Sequence, residues 1–258
     1  MDYLRPKTID EALDLLTRGV PLAGGTQLTA QRYELDTVID LQALALDGLT
    51  EQNGTILAGA MTRLQQLLSS DINLPLVLQQ ACRYEAALNI RNQATLGGLL
   101  MGADGRSPLL TMLAVLDPEI KLAPGDEILR ISEFFERRLS AAGTFLLLEL
   151  SFDLPVCLAY DYVARAPMDR PLVCAAAVRV KRDGEDILRV ALGGYGEQPS
   201  SWAWEGVGAS LDGLLTEAST KASEIYRSAG DAFASAEYRS EIAGILARRV
   251  VSEVVAEC

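Results

Sequence analysis

Residues 22–27 read LAGGTQ and residues 94–98 read ATLGG. Each is an apolar stretch running into a Gly pair with a Thr beside it. A Gly pair can simply turn a chain. It can also bring backbone N–H groups within reach of a phosphate or a planar ring, because no Cβ blocks the approach. Amides at a strand end hold an anion without side-chain charge. No Lys or Arg lies within residues 22–28, and Arg32 follows four residues beyond. Thr26 and Thr95 add hydroxyl donors to the two loops.

The remaining chemistry is bounded by what the chain lacks. It has 258 residues and no histidine. That excludes Ser-His-Asp and Cys-His catalysis, His-ligated metals and flavin attached to His. Cys82, Cys157, Cys174 and Cys258 are scattered without a CxxC, so they form neither a disulfide framework nor an iron–sulfur or zinc site. Cys82 and Cys174 are expected in the core. No general acid–base pair is evident, and Glu149 and Asp153 read as solvated or strand-flanking. If the chain belongs to an enzyme, its chemistry comes from a bound cofactor.

Net charge is −12, which argues against nucleic acid as a partner. The Arg pairs at 137–138 and 248–249 read as solvated helix faces. No apolar run approaches the roughly 18 residues that span a bilayer. The start, MDYLRPKTIDEAL, has no apolar secretory core, and the cytoplasm is the expected compartment.

The elements that must position the two Gly pairs follow from periodicity. TIDEALDLLTR (8–18) predicts a helix with Thr8 as N-cap and Glu11 three residues later. VPLA (20–23), TVIDL (37–41) and GTILAGAM (54–61) predict strands, so each Gly pair is expected at a strand end. TRLQQLLSS (62–70) and LPLVLQQACRYEAA (74–87) have helical spacing. Arg91, just before the second pair, is expected to tie that loop down by donating to its carbonyls. SPLLTMLAVLD (107–117) predicts a buried helix begun by Ser107 and Pro108. EIKLAP and EILRISEFF predict short strands and a helix. From residue 144 the texture becomes a run of strands, with KRDGED as a hairpin turn, and after residue 208 three helical patterns close the chain. GYGEQP (194–199) and EGVGASLDG (205–213) are weak matches to a dinucleotide loop; the first reads as a strand end and turn, the second as a loop entering a helix.

Taken in order, YLRPKTIDEALDLL (3–16), LAGGTQL (22–28), VIDL (38–41), GAMTRLQQL (59–67), IRNQATLGG (90–98), LLTMLAVLDPEI (109–120) and RVALGGYGEQP (189–199) cover nearly the whole chain. The series resembles the FAD-binding medium subunit of the molybdenum hydroxylases, the xanthine dehydrogenase and carbon monoxide dehydrogenase family. The resemblance implies an α+β chain: a two-subdomain FAD-binding fold of the vanillyl-alcohol-oxidase type over 1–153, divided near residue 54 (1–54 and 55–153), then a small α+β domain over 154–258. It implies that Ala23, Gly24, Gly25, Thr26 and Gln27 contact the pyrophosphate of FAD, and that Thr95, Leu96, Gly97, Gly98 and Leu99 line the flavin end. Val at position 24 or 97 is then expected to abolish FAD binding and leave the fold largely intact.

The chain departs from the family pattern at Leu99, where relatives offer an amide or acid, and at Pro108, where Asp is frequent. It also departs at Asp104, where Ser is frequent, and at Tyr162, where Lys is frequent. Asp104 is the candidate for a ribityl hydroxyl, and Tyr162 or Arg170 for the flavin edge. The family implies partners: a molybdopterin-bearing large subunit, a small subunit with two [2Fe–2S] clusters, and NAD or another acceptor for the electrons. No catalytic side chain and no metal ligand is expected on this chain. The alternatives are an FAD-free scaffold subunit and a free-standing flavin oxidase, the latter disfavoured by the short chain.

Overall fold

The computed structural model describes residues 1–141, 144–166, 169–182, 184–205 and 211–256. In chain order the elements begin with β1 (Asp2–Leu4), α1 (Ile9–Leu15), β2 (Val20–Leu22), β3 (Thr37–Asp40), β4 (Leu49–Gln52) and β5 (Thr55–Gly59). Helices α2 (Leu64–Ser69), α3 (Leu76–Glu85), α4 (Leu88–Arg91), α5 (Leu96–Gly102) and α6 (Pro108–Leu116) follow. Next come β6 (Glu119–Ala123), β7 (Glu127–Arg130), α7 (Ile131–Ala141), β8 (Leu146–Asp153), β9 (Cys157–Val163), β10 (Val173–Arg182), β11 (Glu185–Gly193) and β12 (Ser200–Glu205). Two long helices, α8 (Leu211–Ile225) and α9 (Ala236–Ala256), end the chain.

These elements form two compact units that interleave in sequence. The first comprises Met1–Leu74, Ala86–Gly102 and Asp117–Asp153. It holds a parallel sheet, β1-β3-β2, and an antiparallel one, β4-β5-β8-β6-β7. Thr8 caps α1, accepting from the Glu11 N–H at 3.2 Å, while the Glu11 carboxylate accepts from the Lys7 N–H. The apolar stripe this start creates, Ala12 and Leu16, packs on Ile39 of β3 and Leu146 of β8.

The second unit comprises Pro75–Glu85, Ala103–Leu116 and Leu154–Cys258. Its sheet runs β12-β11-β10-β9, all antiparallel. Alternate residues Val173, Ala175, Ala177 and Leu188, Val190, Leu192 face Leu214, Ala218, Ala243, Leu246 and Val250 of α8 and α9. Helix α6 packs on β10 and β11 and is buried along its whole length, as expected of a helix apolar at every position but Thr111. The KRDGED pattern joins β10 to β11 with Arg182 opposite Glu185; Asp183 lies outside the described residues.

Several expectations are corrected. The second Gly pair sits inside helix α5 and not at a strand end. Two of the closing helical patterns are one helix, α8, and β12 has no counterpart in the sequence reading. Part of EGVGASLDG (206–210) is outside the described residues. Arg138 is buried, with its guanidinium donating to the Leu100 carbonyl at 2.6 Å, because the amphipathic α7 turns that face inward. Cys157 is disulfide-bonded and not free, whereas Cys82 and Cys174 are buried free thiols.

Candidate functional site

In the first unit the parallel strands β2 and β3 end side by side, with Leu22 opposite Asp40. Parallel sheets offer ligand sites at these C-terminal ends, where the connecting loops diverge. The buried Asp40 caps the turn Leu41–Leu44 through the Gln42 N–H at 2.9 Å and also accepts from Tyr3. After β2 the chain runs through Ala23–Gln27 into a 3-10 turn at Leu28–Gln31.

Gly25 has φ +71°, a left-handed conformation that favours Gly. Its carbonyl accepts both the N–H (3.0 Å) and the hydroxyl (2.6 Å) of Thr29. The N–H groups of Gly24, Gly25, Thr26 and Gln27 have no acceptor among the described residues, and Thr26 and Gln27 are exposed. Four successive uncommitted amides form the kind of concavity that takes an anion. Arg32 does not compensate for the missing cation, since it donates to the Thr29 carbonyl and stacks on Tyr33.

The second pair behaves differently. Thr95 is buried, and its Oγ1 caps α5 by accepting the Gly98 N–H at 3.1 Å. The Leu96 N–H donates to Thr62, the Gly97 N–H to Ala60 and the Leu99 N–H to Thr95. These amides are committed to the protein, so Leu96–Leu99 can meet a cofactor by packing but not as amide donors. Leu96 and Leu99 are themselves in the core. A Cβ at Gly97 would stand 2.9 Å from the Ala60 carbonyl oxygen. The pair exists to let α5 lie on the end of β5.

The two loops, about seventy residues apart in sequence, touch. A Cβ at Gly24 would stand 2.7 Å from the Gln93 carbonyl carbon and clash outright with its oxygen. Val at Gly24 or Gly97 is therefore not neutral for the fold, because backbone would have to move; this corrects the expectation from the sequence. Beside this contact lies a cavity of about 480 Å³ lined by Ala23, Gly24, Gln42, Asp47, Met61, Arg63, Gln66, Asn92, Gln93 and Thr95, among others. Arg63 has no ion-pair partner among the described residues and supplies the cavity's cation. Sequence reasoning passed over it, although it stands in the GAMTRLQQL stretch, because its distance from the first Gly pair in sequence hides their proximity. Arg91 donates to the Ala86 carbonyl (2.5 Å) and to Gln65 of α2, bonds that brace α4.

Asp104, Tyr162 and Arg170 belong to the second unit. Asp104 accepts from the Arg106 N–H and pairs with Arg170 at 3.3 Å, so these two predicted residues meet. Tyr162 stacks on Tyr160 with ring centroids 5.8 Å apart and meets Tyr84 at a tilt of 54°, 5.2 Å away. Hydrogen bonding to Tyr84, then burial, pushes its phenol up to about 12.

The loop after Asp104 is locked by two devices that the sequence reading missed. Gly105 exchanges backbone bonds with the Gly194–Gly196 turn of GYGEQP. A Cβ at Gly105 would meet the Tyr195 carbonyl carbon at 2.9 Å. The second device is the buried Glu85, which accepts from Ser107 Oγ (2.6 Å) and the Leu109 N–H (3.2 Å) at the start of α6. Burial pushes its carboxyl up, and the two hydrogen bonds oppose that only in part.

Among the described residues, no group of three or more Cys, Asp or Glu is placed to hold a metal. Residues 1–149 match the family described as the FAD binding domain in molybdopterin dehydrogenase. The chain belongs to that family. The Escherichia coli (strain K12) protein YgfM is 32% identical, with 74% of this chain and 73% of that protein covered. The carbon monoxide dehydrogenase medium chain of Afipia carboxidovorans is 29% identical, with 99% and 96% covered. Among solved structures, the reconstituted CO dehydrogenase from Oligotropha carboxidovorans is similar at a TM-score of 0.82 and 25% identity, with 100% of this chain and 98% of that one covered. Family and fold agree with the resemblance drawn from the sequence: this is a medium subunit of the molybdenum hydroxylase type, a mixed α+β chain with an FAD-binding domain.

Proposed function

We propose that this chain binds FAD at the first Gly loop and serves as the electron-transfer subunit of a molybdenum hydroxylase complex. Electrons arrive from iron–sulfur clusters on a small partner subunit, and NAD or another acceptor takes them away. A molybdopterin-bearing large subunit oxidises the substrate. The observation that carries the reading is the run of uncommitted amides at Gly24–Gln27, set at the ends of two parallel strands and beside a cavity wide enough for part of a dinucleotide.

The residues present fit FAD. The amides of Gly24, Gly25, Thr26 and Gln27 would take the pyrophosphate, with no Cβ in the way at the two glycines. The amide-rich wall of Gln42, Asn92 and Gln93, with Arg63, offers donors and acceptors to the polar parts of the cofactor. Thr95–Leu99 would pack against it. When bound, the flavin supplies two-electron and one-electron exchange, which requires no general base from this chain. That agrees with the absence of histidine.

The test is to purify the full chain, strip its cofactor and titrate it with FAD while following flavin fluorescence. Saturable binding, with co-purification of a molybdenum-bearing and an iron–sulfur protein from the source organism, is expected. A folded chain that takes up no FAD would leave the scaffold reading.

A further inference from the structure

We propose that the side chain of Gln27 has a positioning role: it straps the first Gly loop to Gly102 and leaves the pyrophosphate to the backbone N–H of the same residue. The inference rests on the FAD reading of that loop. Gly102 is the last residue of α5, and the space a Cβ would take there is filled by the Gln27 amide. A built Cβ would lie 2.9 Å from Gln27 Cδ and 3.2 Å from Nε2, and would overlap Oε1.

The backbone does not explain the glycine. Its φ is outside the left-handed region, and in a helical conformation Ala is the better residue. What the missing side chain makes possible is the resting place of the Gln27 amide.

The position of Gln27 gives that contact a consequence. Gln27 is the last residue of the loop, immediately before the 3-10 turn, and its own N–H is one of the four uncommitted amides. Its carbonyl accepts the Ala30 N–H at 3.2 Å. The carbonyl bond holds the peptide plane after Gln27, and the side-chain contact restrains the residue whose N–H faces the anion. At the other end of the loop, Gly24 lies against Gln93. The amide run is pinned at both ends onto one segment, residues 93–102, and arrives at the anion already ordered.

The substitution that tests this is mild for the fold. The atoms displaced by a Cβ at position 102 are the far end of an exposed, flexible side chain, not backbone. Gly102→Ala should leave the thermal midpoint of the full chain unchanged or raise it. It should weaken FAD binding roughly three- to tenfold, the size expected when a side chain and its loop must be ordered on binding. Gln27→Ala should weaken binding to a similar degree. The double variant should bind no worse than Gln27→Ala alone, because with the amide gone a Cβ at 102 displaces nothing.

Fluorescence titration of the four stripped proteins with FAD reads all of this. The strap is refuted if Gly102→Ala binds like the wild type, or if the double variant loses the product of the two single losses. If the wild type itself takes up no FAD, the reading of the loop falls first and the strap with it.

Discussion

Gly24, Gly25, Gly97 and Gly102 are glycine for three different reasons, close backbone at Gly24 and Gly97, φ at Gly25 and a side chain at Gly102, and each reason sets its own cost. Gly25 is glycine for its φ of +71°. Its Cβ would meet only ordinary contacts, so Gly25→Ala should cost about 1–2 kcal/mol of stability, the usual penalty for an L-residue in the left-handed region. Gly24 is glycine because backbone lies where its Cβ would be. Gly24→Ala should lower the thermal midpoint further than Gly25→Ala, and equal midpoints would contradict the contact with Gln93. Glu85 carries a pH signature. Burial raises its carboxyl, so the folded chain binds that proton more tightly than the unfolded one. The resulting stability is fully present below the ordinary Glu range, about 4.3, and is lost as pH rises through the raised value. Compared with Glu85→Gln, the wild type should lose stability as pH climbs from that range; parallel melting curves across pH would contradict this.

At the scale of elements, most of the framework was legible. Thr8 with Glu11, and Ser107 with Pro108, announce α1 and α6 because caps and Pro at the first turn are local chemistry. The alternation in β10 and β11 marks a half-buried face. Helix α5 was not legible. Two adjacent glycines lower helix propensity, and what overrides them is a buried cap from Thr95 and the close approach to Ala60, both tertiary. Ser107 does double duty, since its Oγ accepts the Leu110 N–H at 2.9 Å and donates to Glu85. Ser107→Ala should cost about 2 kcal/mol, a lost cap plus a buried carboxyl left short of a donor. Arg239 is fully buried in α9. It pairs with Asp231 at 2.8 Å and donates to the Leu172 and Gly194 carbonyls. The Asp231 carboxyl is raised by burial, but the Phe233 and Ala234 amides and Arg239 outweigh that and hold it well below the usual range. Arg239→Met should cost about 3 kcal/mol or more, because it breaks a buried pair and strands two carbonyls; thermal melting reads it.

For the whole molecule, sequence order and spatial order diverge most where function is concentrated. The first Gly loop and residues 93–102 were each visible as Gly-rich stretches, but their contact was not, nor was the cavity with Arg63 beside them. Both Gly pairs were expected as corners at strand ends. The hydrogen bonds separate them: one loop keeps its amides free and the other spends them on helix α5. On the proposed reading, a chain of net charge −12 offers the anion, among the described residues of this region, the loop amides and Arg63. The most direct measurement is the cofactor content of the purified, folded full chain: its visible absorption, and the FAD released on denaturation. A yellow protein releasing close to one FAD per chain, or a stripped protein that regains it on titration, is the predicted result. A folded, colourless chain that takes up no FAD would contradict the account.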